Sequence, residues 1–220
     1  MFIAHYGVAL AAKCVAPHTS LGMLFLAAQF IDLLWPVFLL LGFEHVRIDP
    51  GNTIITPLDF YDYPITHSLL GVIGWSLALG LCYFAARRYS RGAWVVGAGV
   101  LSHWVLDAVV HRPDLPLIPG SKTYIGFGLW NSLAGTVVVE LALFGLGLAL
   151  YLHCTVALDR TGRYGLWSLV ALLVALWAAN ILGPPPPSEK AIAFAGLGLW
   201  LFIPWAYWID RRRQPAANSS

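Results

Sequence analysis

Apolar residues fill long, almost uninterrupted stretches of this chain. Runs of that character cover residues 20–42, 65–86, 92–111, 130–153, 165–183 and 191–209. Each reaches the roughly 20 residues that an α-helix needs to cross a bilayer. A further apolar segment, 2–16, is shorter. It reads as a tilted span, a re-entrant helix or an uncleaved anchor, and it lacks the basic leader and small-residue cleavage site of a signal peptide. The pattern predicts an all-α fold, a polytopic membrane bundle of six to seven transmembrane helices. It forms a single domain over 1–210, with a basic cytoplasmic tail over 211–220. Pro184–Pro187 cannot continue a helix and predict a stiff turn before the last span.

Composition points the same way. Of 220 residues, 59% are hydrophobic and 11% charged, whereas a soluble domain carries about 25% charged residues. A soluble nucleic-acid binder, a disordered scaffold and a secreted disulfide framework are thereby excluded. The net charge of +2 is too small to argue for a polyanionic partner. Ten Trp and nine Tyr suit a protein with two membrane–water interfaces. Cys14, Cys82 and Cys154 are far apart, with no C-x-x-C spacing, and are expected to be buried apolar residues rather than a zinc knuckle or redox pair.

Charge alternates between the connections. Lys13, Arg87, Arg88, Arg91, Arg160, Arg163 and Arg211–Arg213 fall at one end of the bundle if every run spans. The other end holds Arg47, Arg112, Lys122 and Lys190 against six acidic residues. The positive-inside rule makes the first end cytoplasmic, with the N-terminus out and the C-terminus in.

Ionisable residues within spans are costly and mark candidate sites. Here they are His5, Asp32, His67, His103, Asp107, His111 and Glu140. At about 1.5 Å per residue, all fall in the outer half, which predicts one polar pocket built from five helices. His103, Asp107 and His111 lie at i, i+4 and i+8, so they share a helix face. Three His and two Asp at similar depth make the ligand set of a divalent metal site, with Zn favoured and Mn or Fe as alternatives. Glu140 is a further ligand or a general base. His18, His45 and His153 lie at connections or helix ends and are expected to be solvated.

The stretch 112–132, R-P-D-L-P-L-I-P-G-S-K-T-Y-I-G-F-G-L-W-N-S, is broken by prolines and glycines. It reads either as a lid whose Arg112 and Lys122 hold an anionic headgroup or as a loop folded over the bundle.

Residues 61–70, Y-D-Y-P-I-T-H-S-L-L, and 101–117, L-S-H-W-V-L-D-A-V-V-H-R-P-D-L-P-L, go further. Their T-H-S and S-H-x-x-x-D elements, in this order and spacing, resemble the YdjM-like family of bacterial inner-membrane proteins, described as membrane-bound metal-dependent hydrolases. The resemblance covers roughly residues 1–150. It implies metal-binding roles for His5, for Asp32 in place of a P-D-x-D element, and for His67, His103 and Asp107, and it matches Glu140 to a later family Glu. The first His of the family's H-R-x-x-T-H-S pattern falls at Asp62. A carboxylate can replace an imidazole there as a ligand, with a preference for harder metals.

A His/carboxylate metal site lowers the pKa of bound water and polarises a carbonyl or phosphoryl oxygen. Near headgroup depth, the substrates expected are lipids or lipid-linked esters and phosphodiesters, reached from the membrane. The membrane lipids are the partners expected; nucleic acid is not. Three other classes compete. A transporter or proton-relay protein would continue its polar residues across the bilayer. A metal-free lipid phosphatase would add an Arg-rich clamp. A structural membrane subunit would use the cluster for packing alone.

Overall fold

The structure, a computed structural model, describes residues 1–216. It is a helix bundle with three two-stranded sheets at its ends. The first helix, α1 (Ile3–Val15), is 13 residues long, about 20 Å at 1.5 Å per residue. That is short of a bilayer's hydrocarbon thickness, so the segment 2–16 does not have the length of a full span. Its residues Ile3, Ala4, His5, Tyr6, Ala9 and Leu10 are all buried, and it runs through the bundle interior against α2 (Leu21–Leu41).

Serine caps set several of the helix starts. Ser20 Oγ accepts from Met23 N–H at the start of α2, which ends at Gly42 in a left-handed turn (φ 72°). Such a φ costs glycine little. Pro36 lies inside α2; having no N–H, it leaves the carbonyl of Asp32, four residues earlier, without its helical donor. Beyond Gly42 the chain forms a hairpin, β1 (His45–Ile48) and β2 (Leu58–Asp62), with His45 opposite Asp62.

A single helical turn, α3 (Pro64–His67), follows. The chain breaks at Ser68, whose side chain accepts from Gly71 N–H and starts α4 (Leu69–Arg87). Next come α5 (Ser90–Val110) and a small hairpin, β3 (Leu115–Pro116) with β4 (Tyr124–Ile125). The remaining helices are α6 (Leu133–Cys154), α7 (Arg160–Leu182), α8 (Glu189–Leu197) and α9 (Phe202–Asp210). A 3₁₀ turn joins α8 to α9 into one continuous 22-residue span. Six helices are thus long and apolar enough to cross a membrane.

The opposite end of the bundle is closed by β5 (Thr155–Ala157) paired with β6 (Arg213–Pro215). The beginning of the basic tail is therefore a docked strand, and residues 217–220 lie outside the described residues. Lys13 and Asp210 form an ion pair of 2.7 Å there. One expectation is corrected at this end. Cys14 and Cys154, read from sequence as unpaired buried thiols, form a disulfide between the last turns of α1 and α6. Their helices pack side by side, which their separation of 140 residues conceals.

Candidate metal centre

The cluster is assembled from four segments. α1 brings His5, α2 brings Asp32, the break between α3 and α4 brings His67, and one face of α5 brings His103 and Asp107. His103 Nε2 lies 3.5 Å from Asp32 Oδ1 and 3.1 Å from Asp107 Oδ2. His67 Nε2 lies 3.6 and 4.0 Å from the same two oxygens. His5 Nε2 meets the other Asp107 oxygen at 3.2 Å, and its ring stacks on His103 with centroids 3.8 Å apart. The Met1 ammonium also meets Asp107. Asp32, with its side chain 25% exposed, is the edge of the cluster; the three histidines and Asp107 are 5% exposed or less.

Hydrogen bonds on the far side of two rings decide what they present to the centre. His103 Nδ1 is 2.8 Å from Ala28 O. A carbonyl only accepts, so Nδ1 carries the hydrogen and the neutral ring presents its Nε2 lone pair to Asp32 and Asp107. His67 is set by a relay. Glu44, which is buried, accepts from Ile65 N–H, Thr66 N–H and the Thr66 hydroxyl, each at 2.7 Å. That hydroxyl has one proton and gives it to Glu44, so it accepts from His67 Nδ1–H at 2.7 Å. His67 Nε2 is then a second inward lone pair.

This explains T-H-S as a structural unit. Thr66 orients the ring, His67 supplies the donor atom, and Ser68 caps the restart of the helix. Glu44 went unrecognised in the sequence because it lies in the connection after α2, where an acidic residue reads as solvated. Its one signal was an acidic side chain immediately beyond a Gly-terminated span.

The Met1 ammonium meets only the outer oxygen of Asp107, so two inward imidazole nitrogens facing two carboxylates call for a further positive charge between them. A proton on an imidazole meets that need, and so does a metal ion. The donor set fits a metal. With bonds of about 2.1 Å, the edge of a tetrahedral site is about 3.4 Å, and the four N···O separations of His67 and His103 with Asp32 and Asp107 are 3.1 to 4.0 Å. Asp32, His67 and His103 form one group with ligand atoms within 4.8 Å of each other; His5, His103 and Asp107 form another. His103 Nε2 and His5 Nδ1 are buried without a hydrogen-bond partner.

The other sequence candidates lie elsewhere. Asp62 is 46% exposed and pairs with His45 at 2.9 Å across the β-hairpin, and it is in neither group of converging ligand atoms. Nor is His45 merely solvated, since it holds Asp62. Glu140 accepts from Phe2 and Ile3 N–H at 2.9 and 3.0 Å, so its carboxylate caps α1. His111 leaves the shared face because the helix ends there: it is the C-cap, with extended backbone (φ −62°, ψ 147°). It bonds Asp114 at 2.8 Å. Tyr63 donates to Asp114 at 3.1 Å, and burial, reinforced by the Asp114 charge, holds its phenol well above the usual range.

Arg112 is bound to Asp59 and Asp114, and Lys122 is exposed near the tip of the β3–β4 hairpin. The loop is fastened down: Phe127 N–H and Gly128 N–H donate to Ala108 O and His111 O at 2.8 and 2.7 Å. A Cβ on Gly126 would fall 2.0 Å from Arg112 O, so only glycine fits that approach. A surface recess of about 470 Å³ is lined by Arg47, Ile48, Ser188, Glu189 and Lys190 and does not touch the cluster.

Comparison with known proteins adds one match. No curated protein and no solved structure matches the chain. The family model described as YdjM inner membrane protein matches residues 48–185, more than half of the chain and a range that includes His67, His103 and Asp107. A multi-pass bundle of apolar helices with this His/Asp cluster among them belongs to the YdjM family of inner membrane proteins.

Proposed function

We propose that the protein is a membrane-embedded, metal-dependent hydrolase acting on lipid or lipid-linked esters or phosphodiesters. Asp32, His67, His103 and Asp107 hold a divalent cation, Zn in preference to Mn or Fe. The observation that carries this reading is the pair of anchored imidazoles. Ala28 O and Thr66 hold the Nδ1 sides of His103 and His67 so that both Nε2 atoms converge on two carboxylates, and a neutral ring offers its lone pair there. When bound, a metal in such a setting activates water and polarises the oxygen of a scissile group.

The chain's own residues do the rest. His5 stacks on His103 and meets the outer oxygen of Asp107, limiting how that carboxylate can rotate. Glu140 positions His5 by capping α1. Asp32 is the exposed edge, so a substrate reaches the centre past it, and the buried rings behind keep bulk water out. The cluster lies in the outward half of the bilayer, with the 112–128 loop outside.

The test is metal analysis of the full chain purified in detergent without chelator. About one divalent ion per chain is expected, retained in His153→Ala and lost in His103→Ala. Metal-free protein that fails to bind added Zn or Mn overturns the reading and leaves a protonated ion cluster. Labelling of Ser121→Cys in intact cells tests the orientation: reaction only after the inner face is exposed inverts it.

A further inference from the structure

We propose that Cys14 and Cys154 are a redox-modification site, a reversible disulfide that clamps α1 to α6. The bond joins the last turn of the helix carrying His5 to the last residue of the helix carrying Glu140. α1 is thereby held to α6 at both ends: Glu140 caps its first turn and the disulfide ties its last. Between these ends the two backbones touch at glycines, since a Cβ on Gly147 would lie 2.0 Å from Gly7 O. Side chains such as Tyr6, Leu10, Phe144 and Tyr151 share one apolar cluster beside this glycine contact, and the two end fastenings tie the register at the helix ends.

The position of the bond argues for reversibility. It sits at the end of the bundle that holds Lys13, Arg160, Arg163 and Arg211–Arg213. The charge rule makes that end cytoplasmic, where disulfides are transient or sensory rather than structural. Cys14 is half-buried and Cys154 buried, so Cys14 is the more accessible thiol.

The chemistry is exchange with a low-molecular-weight disulfide. The Cys14 thiolate attacks one sulfur, forming a mixed disulfide and releasing one small thiolate. The Cys154 thiolate then attacks Cys14 Sγ and releases the second. Two electrons pass to the oxidant, and the two protons leave the protein thiols for the released ones. The effect on metal affinity rests on the metal-centre reading: the closed bond holds α1 in the register that sets His5 against Asp107 and His103.

The test uses the full chain in cells with Cys82→Ser, which removes the exposed free thiol. Thiols are trapped with a maleimide-polyethylene glycol before and after 2-hydroxyethyl disulfide. Two adducts at rest, none after oxidant and two again after dithiothreitol are expected. No adduct at rest overturns the proposal in favour of a permanent staple, and two adducts after oxidant show that the thiols do not pair. In purified protein, the oxidised form should exchange the amides of residues 8–15 about tenfold more slowly than the reduced form. It should bind Zn about fivefold more tightly or better. Equal exchange in both forms overturns the clamp. Absence of Zn binding in both forms overturns the metal reading instead, and the exchange data still judge the clamp.

Discussion

The two ends of the bundle treat buried charge in opposite ways. At the basic end each buried ion finds a partner. Lys13 meets Asp210 at 2.7 Å and Thr19 O at 2.9 Å, and Arg213 donates to Thr155 O, Thr155 Oγ1 and Gly162 O. At the other end the cluster is only partly paired: the Met1 ammonium and His5 Nε2 meet one oxygen of Asp107, while His103 Nε2 and His5 Nδ1 have no hydrogen-bond partner. The first arrangement is complete as protein. The second gains from an added cation, because buried polar groups cost free energy until paired. Burial alone therefore does not mark a functional site in this membrane protein; several ionisable groups gathered from different helices with incomplete pairing are the stronger sign.

The largest expected effect separates the two ends directly. His103→Ala or Asp107→Ala should reduce metal affinity by more than about a hundredfold, read by titration with Zn in detergent. Lys13→Met should leave that affinity within about twofold and lower stability by about 1–3 kcal/mol, the cost of leaving the half-buried Asp210 carboxylate unpaired, read by thermal unfolding. If Lys13→Met abolished metal binding and His103→Ala did not, the contrast would be reversed.

Next in size is the relay behind His67. Thr66→Ala and Glu44→Gln should each weaken metal binding by about ten- to a hundredfold, as expected for partners that orient a ligand. Thr66→Ser should restore it, because the hydroxyl and not the methyl group carries the relay. ¹⁵N shifts of the His67 ring should report the Nε2–H tautomer rising in Thr66→Ala; an unchanged ring spectrum would remove Thr66 from the relay.

The smallest effect is at the hairpin. Asp62→Ala removes a half-exposed pair with His45 and should cost about 0–1 kcal/mol, with metal affinity and Zn-to-Mn preference unchanged. A clear loss of affinity would bring Asp62 into the site after all.

The long helices were legible because each carries its own signal, an apolar run of about 20 residues. His103 and Asp107 were legible for the same reason, being one turn apart on one helix. What sequence could not supply were relations between segments. The disulfide, the Glu44–Thr66–His67 relay and the Ala28 carbonyl under His103 all join residues from different elements. Asp62 was a candidate through the family pattern, and where its side chain would turn was not legible: the structure pairs it with His45 across a hairpin. His111 misled because helical periodicity was extended through a residue whose backbone had already left the helix.

Pro36 gives the centre an uneven stiffness. His103 and His67 are each anchored from behind, by a carbonyl and by a hydroxyl. Asp32 sits in the one turn of α2 where the backbone ladder lacks a rung, because the residue four positions on has no N–H to give. Of the four groups around the centre, Asp32 is both the most exposed and the one on the more compliant mount. Any group entering the cluster from that side would thus meet the side chain best able to yield while the imidazoles behind it hold still.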